Sequence, residues 1–237
     1  MTLIIAMWSG PRNLSTAMMR SFGARADCAV MDEPFFAPFL KQSGKAHPGR
    51  EETVAHNETD PHKVAAQCLA SVAQSYSFQK HMPHHMLEGF PLDWTKWAKH
   101  FFLIRHPQRV IASYAKSRAA FDLDDLGFAS QRRLWEQLDR PPVIHSETIL
   151  ENPEKALRTL CAAINIPFNR DMLRWDAGQR PEDGPWAPWW YKNVWSSTGF
   201  GPPPKSMPEI KAEYVPLLEA CLPDYQVLAD EALTILD

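Results

Sequence analysis

A short polar turn after the first apolar run of the sequence carries the residue types best suited to hold a small anion. The turn reads Gly-Pro-Arg-Asn-Leu-Ser-Thr over residues 10–16 and directly follows Leu3 to Trp8 and a serine. Ser15 and Thr16 are suited to cap a helix, whose first backbone N–H groups lack internal partners and favour phosphate or sulfate. Arg12 adds a planar guanidinium that can bind two anionic oxygens at once. The spacing indicates an anion site, and the alternative is that Ser15 is a simple cap and Arg12 a solvated turn residue.

A second turn between a strand and a helix carries a similar pattern. Arg105 follows the apolar run "FFLI", Pro107 suits the first turn of a helix, and Ser113 comes eight residues after the arginine. Because ligands of an open parallel sheet bind outside the carboxyl ends of its strands, we expect Arg12 and Arg105 to face one crevice. In the alternative, Arg105 pairs with Glu147 and Ser113 lies on a solvated helix face.

Apolar and amphipathic segments alternate along the chain, which is the order of strands and crossover helices in an α/β protein. Five apolar runs predict a parallel sheet: Leu3 to Trp8, Cys28 to Met31, Ser77 to Gln79, His100 to Ile104 and Pro142 to His145. Helical spacing predicts helices at Thr16 to Arg25, Lys63 to Ser75, Leu92 to Ala98, Gln108 to Arg118, Ser130 to Leu138 and Asn152 to Ile164. The predicted fold class is therefore α/β with a roughly five-stranded parallel sheet.

The length of 237 residues favours one large domain or two small ones, and we predict a single domain over residues 1–237. From Asp176 to Pro208 the sequence is irregular and rich in Trp and Pro, which is typical of a packed cover rather than a disordered linker. We expect this cover to pack across the edge of the sheet. Residues 209–237 return to helical spacing and predict C-terminal helices.

Composition and charge limit the classes of function. The hydrophobic fraction of 45% and the charged fraction of 22% are those of a globular protein. A net charge of -3 argues against a general nucleic-acid surface. The four cysteines lack CxxC spacing and fit reduced thiols, and no leader or membrane-spanning run is found in the sequence. We therefore expect a cytoplasmic protein with no nucleic-acid or membrane partner.

Taken together, the order and spacing of the two turns resemble the sulfotransferase family, whose members move a sulfo group from 3'-phosphoadenosine 5'-phosphosulfate (PAPS) to a hydroxyl or amine. The similarity runs through about residues 3–168 and includes "VIHSETILENPEKALRTLCAAINIPF". It implies a three-layer α/β/α, P-loop NTPase-like fold. It also implies that Arg105 and Ser113 bind the 3'-phosphate. The residues that would bind the 5'-phosphosulfate are Pro11, Arg12, Asn13, Leu14, Ser15 and Thr16.

The resemblance offers two candidates for the base that removes the acceptor proton. The stretch "FQKHMP" is similar to the family's Lys-Thr-His-Leu-Pro segment and gives His81 the base position, whereas "MDEPF" gives Glu33 the position used in other branches. An ordinary histidine pKa of about 6.5 suits general-base catalysis, so we prefer His81 to Glu33. Arg12, which stands where many members have Lys, is expected to stabilise charge on the leaving phosphate.

Some positions depart from the family pattern. Ala17 stands where cytosolic members often have a Trp that stacks on adenine, and no Arg-Lys-Gly segment is found near the C-terminus. The stretch "WYKNVWSSTGF" could replace that segment, with charge from Lys192 and a stacking plane from Trp195 or Phe200. A packed cover is the commoner role of such a Trp-rich stretch.

The sequence therefore predicts a PAPS-dependent sulfotransferase with PAPS as co-substrate and a small-molecule acceptor. The stretch "HMPHH" has no accompanying Cys or carboxylate pattern, so we predict no metal. Acceptor selection is expected from Phe35 to His62 and from Asp176 to Pro208, and no feature of the sequence indicates an oligomeric state. Two alternatives stay open. One is a kinase-like P-loop phosphotransferase, against which "PRNLST" argues because the Gly-Lys pair is missing, and the other is a catalytically silent nucleotide-binding domain of the same fold.

Overall fold

The computed structural model describes residues 2–116, 118, 120–203 and 205–235. The strands of this part of the chain are β1 (Leu3–Ser9), β2 (Cys28–Asp32), β3 (Tyr76–His81), β4 (Ala98–Ile104) and β5 (Val143–His145). All pair in parallel, in the order β2-β3-β1-β4-β5. The predicted α/β fold with a five-stranded parallel sheet is confirmed.

Helices connect the strands and complete the layers. They are α1 (Ser15–Gly23), α2 (Phe36–Ser43), α3 (Arg50–His56), α4 (Pro61–Cys68), α5 (Pro107–Tyr114), α6 (Leu123–Leu126), α7 (Phe128–Gln137), α8 (Ser146–Glu151), α9 (Pro153–Ala163), α10 (Ala187–Trp190), α11 (Lys192–Trp195) and α12 (Val215–Ala229). Short 3₁₀ helices lie at Pro83–His85, Asp93–Trp97, Arg170–Leu173 and Ala212–Tyr214.

The two faces of the sheet carry separate apolar layers because successive strand side chains point to opposite sides. One layer joins Met7 of β1 to Phe22 of α1 and Leu160 of α9. The other joins Trp8, the next residue of β1, to Trp135 of α7. Helices therefore cover both faces, and the carboxyl ends of the strands are left as the edge where loops can build a site.

Three predicted helices differ markedly from the structure. Lys63 to Ser75 was too long, because α4 ends at Cys68 and Leu69 is exposed, so the apolar stripe does not continue. Leu92 to Ala98 is instead the 3₁₀ helix Asp93–Trp97, which leads directly into β4. The predicted helix Gln108 to Arg118 ends at Tyr114, and its residue Ser117 lies outside the described residues.

We call residues 176–208 the Trp-rich segment; its residue Pro204 lies outside the described part, as do Met1, Leu236 and Asp237 of the predicted domain. It contains α10 and α11. It packs over the carboxyl ends of the strands rather than across the sheet's edge. The Tyr191 hydroxyl donates to Asp32 Oδ2, 2.6 Å away at the end of β2, and Trp186 packs edge-on against Phe36. The segment therefore covers the strand ends.

The four cysteines are buried and free of disulfides: Cys28, Cys68, Cys161 and Cys221. Burial raises the pKa of each thiol, to about 12 for Cys68, so these side chains act as small apolar core groups. In the described part of the chain, no helix is both long enough and apolar enough to cross a bilayer.

Candidate functional site

A cavity of about 510 Å³ lies at the carboxyl ends of the strands. Its volume falls within the range of about 300–1,000 Å³ typical of small-molecule sites. The turns after the strands, α5 and the Trp-rich segment form its walls. The side chains here that could do chemistry are Arg12, Glu33, Lys80, Arg105, Ser113 and Tyr191, together with the histidines His47, His84 and His85. The structure thus brings the two arginines of the two predicted turns to one cavity.

The turn between β1 and α1 is built on two left-handed residues. Arg12 has a φ of 61° and Leu14, the N-cap residue of α1, a φ of 71°. Such backbone conformations cost about 1–3 kcal/mol each in non-glycine residues and cluster at ligand sites. The expectation that Ser15 and Thr16 cap the helix is wrong: Ser15 is already its first residue, and no side chain caps the end. The first N–H groups of α1 are therefore not taken up by a side-chain cap.

Asn13 is the exception among the loop residues predicted to bind the anion. Pro11, Arg12, Leu14, Ser15 and Thr16 line the cavity, whereas Asn13 does not. Its side chain is buried, and Nδ2 donates to the backbone oxygen of Leu103 at 3.2 Å. The predicted ligand contact of this side chain is corrected: it anchors the turn to β4.

The two arginines and the serine form one connected group. Arg12 Nε donates to Ser113 Oγ at 3.0 Å, and Arg105 Nη1 donates to the backbone oxygen of Arg12 at 2.7 Å. Burial is the main cause that lowers the pKa of both guanidinium groups, but arginine stays charged in proteins. The partner expected in the alternative, Glu147, lies 3.4 Å from Arg109 Nε, and its charge also partly offsets the effect of burial on the pKa of Arg105. Among the described residues, no carboxylate lies within 4.0 Å of either Arg12 or Arg105, so their charge faces the cavity without an ion-pair partner.

The part of the cavity wall at the ends of β2 and β3 holds a lysine between two carboxylates. Lys80 Nζ donates to Asp32 Oδ1 at 2.8 Å, to Glu33 Oε1 and to the Tyr191 hydroxyl at 2.7 Å. Asp32 and Lys80 are register partners on β2 and β3, which sets them side by side. The next residue, Glu33, would point to the other face of an extended strand, but its φ of 43° turns the side chain back to Lys80. Both acidic side chains therefore meet one ammonium group.

Burial shifts the protonation equilibria of this wall. Burial is the largest cause that raises the pKa of Glu33; Lys80 opposes the rise and Asp32 adds to it. Burial alone would lower the pKa of Lys80, but the charges of Asp32 and Glu33 outweigh it and hold this pKa well above its ordinary value. Glu33 is thus a carboxylate of increased proton affinity at the wall of the cavity, as a general base requires.

The structure contradicts the preference for His81 as the base. His81 follows Lys80 on β3, so it points to the other face of the sheet, and it does not line the cavity. Its ring is 1% exposed and packs 4.6 Å from the Trp8 ring and 4.9 Å from the Trp94 ring. Burial lowers the pKa of His81 well below the ordinary value. His81 is therefore a neutral core residue, and Glu33 is the candidate that faces the cavity.

The other two histidines of "HMPHH", His84 and His85, are buried side chains that line the cavity. The His85 ring is stacked between Phe36 and Phe39, with ring centroids 4.7 and 4.8 Å away. Its Nδ1 lies 3.9 Å from Glu33 Oε2, and burial lowers its pKa well below the ordinary value. His81 points away from this pair. Within the described residues, no group of three or more His, Cys, Asp or Glu side chains is placed to hold a metal ion.

The Trp-rich segment contributes different residues to the cavity from those that the sequence suggested. Lys192 is exposed, Trp195 Nε1 donates to Asp183 at 2.9 Å, and Phe200 packs edge-on against Trp175. None of Lys192, Trp195 and Phe200 lines the cavity. Its wall is formed here by Trp186, Trp190 and Tyr191.

The comparison with known families decides the assignment. Residues 2–232 match the sequence profile of the family described as "Sulfotransferase domain". The chain belongs to the sulfotransferase-domain family. The resemblance that rested on the two turns is thereby confirmed over nearly the whole chain.

Two curated relatives of this sulfotransferase domain come from Arabidopsis thaliana. The chain is 38% identical over 230 residues to "Branched-chain-amino-acid aminotransferase-like protein 2" and 40% identical over 230 residues to "Branched-chain-amino-acid aminotransferase-like protein 1". Each match covers 95% of this chain but 41% of the relative. The chain thus spans less than half the length of these plant proteins, and their names describe the longer proteins.

Solved structures share the fold of this sulfotransferase domain. The "Sulfotransferase Domain from the Curacin Biosynthetic Pathway" matches 78% of this chain and 81% of its own, with a TM-score of 0.53 and 17% identity. The "Sulfotransferase Domain from the Synechococcus PCC 7002 Olefin Synthase" matches 92% of this chain and 94% of its own, with a TM-score of 0.53 and 16% identity. At such low identity the likeness concerns the fold.

Lys80, Asp32 and Tyr191 were not predicted as site residues of this sulfotransferase domain. One signal was present: a lysine at the end of a buried strand needs a charged partner, because an unpaired buried charge is strongly unfavourable. The predicted third strand stopped at Gln79, one residue before Lys80. Tyr191 gave no such signal, since its partner lies 159 positions away in sequence.

Proposed function

We propose that this chain transfers a sulfo group from PAPS to a hydroxyl or amine of a small-molecule acceptor. The observation that carries the proposal is the polarised cavity: two guanidinium groups, which have no carboxylate within 4.0 Å among the described residues, line the same space of about 510 Å³ as a buried carboxylate, Glu33. The positive side suits a donor with several anionic groups, and the carboxylate suits removal of an acceptor proton.

In this proposal the donor binds along the positive side of the cavity. Arg105 and Ser113 would take the 3'-phosphate, as their match to the family's phosphate-binding pair implies. The free N–H groups at the start of α1 and the Arg12 guanidinium would take the 5'-phosphosulfate. Because Arg12 Nε already donates to Ser113 Oγ, a phosphate at Ser113 would share or replace that hydrogen bond.

The reaction is a displacement at sulfur. The acceptor oxygen or nitrogen forms a bond to sulfur while the bond from sulfur to the bridging oxygen of the 5'-phosphate breaks, and adenosine 3',5'-bisphosphate leaves with the electron pair. Arg12 would stabilise the negative charge that develops on this leaving phosphate. The acceptor proton would pass to the Glu33 carboxylate, whose pKa burial raises, and then to solvent.

Isothermal titration calorimetry with adenosine 3',5'-bisphosphate tests the donor site. We expect binding by the wild-type chain and a loss of at least about tenfold in affinity for Arg105→Ala, since one charge-assisted hydrogen bond contributes about 1.5–3 kcal/mol. Arg132→Ala is the matched control, because Arg132 is exposed and pairs with Glu136 and Asp224.

Two results would contradict the proposal. One is the absence of binding heat at high micromolar bisphosphate. The other is magnesium-dependent binding of ATP that Arg105→Ala leaves unchanged, which would favour a phosphotransferase.

A further inference from the structure

Lys80 stands out among the residues of the cavity wall because every donor of its ammonium group is already used. A lysine ammonium has three N–H donors, and Lys80 Nζ has three partners: Asp32 Oδ1, Glu33 Oε1 and the Tyr191 hydroxyl. The Lys80 side chain is 1% exposed. It could bind a donor phosphate only by breaking one of these hydrogen bonds. This sets it apart from Arg12, whose guanidinium contacts a neutral hydroxyl.

The three hydrogen bonds fix where the Glu33 carboxylate lies. The backbone N–H of Glu33 donates to the backbone oxygen of Lys80 at 2.9 Å, so main chain and side chain hold the same residue pair together. One carboxylate oxygen, Oε1, is bound by Lys80, and the other, Oε2, lies 3.9 Å from His85 Nδ1. Tyr191 ties the Trp-rich segment to this cluster, since its hydroxyl also donates to Asp32 Oδ2 at 2.6 Å.

The charges around Glu33 make Lys80 the nearest cation. Asp32 from β2, Lys80 from β3, Tyr191 from the Trp-rich segment and His85 from the 3₁₀ helix all face this carboxylate. With both acids ionised, the two carboxylates and the one ammonium sum to a net charge of -1. Arg12 and Arg105 line the same cavity and add positive charge to it. Asp32 thus favours the protonated form of Glu33, and Lys80 favours the ionised form.

We infer that Lys80 is a positioning residue: it holds the Glu33 carboxylate at the cavity wall in the ionised form that accepts the acceptor proton. This inference rests on the proposed function for the role of Glu33. Lys80 acts through Glu33 and does not contact the donor. Asp32 has two effects on this arrangement. It keeps Lys80 in place, and its own charge raises the proton affinity of Glu33, which opposes the effect of Lys80.

A charge-balanced set of variants tests this role. Glu33 is titrated by ¹³C NMR of the glutamate-labelled full chain, with its carboxyl signal assigned through Glu33→Gln. We expect Lys80→Met to raise the pKa of Glu33 by about 1–3 pH units and Asp32→Asn to lower it, because a neighbouring charge shifts a pKa by about that much. The Lys80→Met/Asp32→Asn double variant keeps the net charge of the cluster and should return the pKa to within about one unit of wild type.

The control is Lys96→Met, which removes an exposed lysine that is paired with Asp93 and should leave Glu33 unchanged. If Lys80→Met does not fold, the effect of Lys80 can still be measured, because Asp32→Asn and the double variant differ only at Lys80. The pKa of Glu33 should be higher in the double variant than in Asp32→Asn by about one unit or more. The inference would be overturned if removal of Lys80 left the pKa of Glu33 unchanged. It would also be overturned if both single variants shifted this pKa in the same direction.

The same variants separate this inference from the proposed function. Adenosine 3',5'-bisphosphate should bind the double variant within about threefold of wild type, because that ligand is assigned to the arginine side of the cavity. Absence of bisphosphate binding by the wild type, together with the expected Glu33 shifts, would reject the donor but keep the positioning role of Lys80. Normal bisphosphate binding with an unmoved Glu33 would reject the positioning role alone.

Discussion

Arg12 and Lys80 both carry positive charge at the carboxyl ends of the sheet, yet their partners differ. The Arg12 guanidinium contacts the neutral hydroxyl of Ser113, whereas Lys80 is enclosed by Asp32 and Glu33. In the first case the charge is left to act on whatever enters the cavity; in the second it is compensated within the protein. The side of the cavity formed by Arg12 and Arg105, which we call the arginine wall, can therefore attract an anion. The side formed by Lys80 and Glu33, which we call the lysine wall, can hold a proton acceptor.

The largest effect on turnover is expected from a substitution in the lysine wall. Glu33→Gln keeps the shape of the side chain but removes the proton acceptor, so we expect kcat to fall by about 10²–10⁴-fold. The measurement is release of adenosine 3',5'-bisphosphate from PAPS with a panel of small alcohols, phenols and amines. Affinity for the bisphosphate should stay within about threefold, because the arginine wall is intact. Full turnover by Glu33→Gln would remove this residue from the mechanism.

A smaller effect is expected from breaking the arginine wall. Arg12→Ala removes the guanidinium and its hydrogen bond to Ser113, so affinity for adenosine 3',5'-bisphosphate should fall by about 10–100-fold. Arg12→Lys keeps the charge but lacks the planar guanidinium, so its affinity for the bisphosphate should lie between those of the wild type and Arg12→Ala. Calorimetric titration measures both. Wild-type affinity in Arg12→Ala would show that this guanidinium does not meet the ligand.

A stability difference is expected from three buried histidines, of which His84 and His85 line the cavity and His81 lies in the core behind it. Burial lowers the pKa of His81 and His85 well below their ordinary value, and that of His84 to about 4. The unfolded chain, with histidine pKa values of about 6.5, therefore binds more protons at mildly acidic pH. Stability from these groups is present above about pH 6.5 and is lost as the pH falls toward the folded pKa values.

Glu33 works in the opposite direction, since its raised pKa contributes stability at low pH that is lost as the pH rises through that value. We expect the histidines to dominate, with a loss of about 1.4 kcal/mol per pH unit for each fully buried ring. Urea unfolding at pH 7.5 and 5.5 measures the difference. A free energy of unfolding that is unchanged or larger at pH 5.5 would contradict the burial of these neutral rings.

The smallest effect on turnover concerns His81. We expect His81→Gln to keep turnover and bisphosphate affinity within about threefold of wild type, because this ring lies behind the sheet and not in the cavity. Its free energy of unfolding should fall, since the ring packs between Trp8 and Trp94. A variant that folds and binds the bisphosphate but no longer turns over would restore His81 as the base.

The sheet could be predicted from the sequence because parallel strands buried on both faces are unbroken apolar runs. Boundaries were less accurate, and one mattered for function. The predicted third strand covered Ser77 to Gln79, whereas β3 continues through Lys80 to His81. With the full strand, alternation places these last two residues on opposite faces. The preference for His81 came from a motif match that ignored this alternation.

The arginine wall could be predicted, whereas of the lysine wall only Glu33 was predicted, as one of two candidate bases, and the reason is physical. Arg105 directly follows β4 and Arg12 lies three residues after the end of β1, so the topology of a parallel sheet is enough to bring the two to one edge. The lysine wall depends on the left-handed backbone of Glu33 and on Tyr191, which reaches it from the irregular Trp-rich segment. Neither follows from local pattern. The short helices α10 and α11 were missed for the same reason, since packing rather than periodicity stabilises them.

The most direct test of the polarised cavity compares two ligands on the wild-type chain by calorimetry. Adenosine 3',5'-bisphosphate and adenosine 5'-monophosphate differ by the 3'-phosphate that is assigned to Arg105 and Ser113. We expect the bisphosphate to bind at least about tenfold more tightly, because one charge-assisted contact contributes about 1.5–3 kcal/mol. Equal affinities for the two nucleotides, or no binding of either, would contradict it.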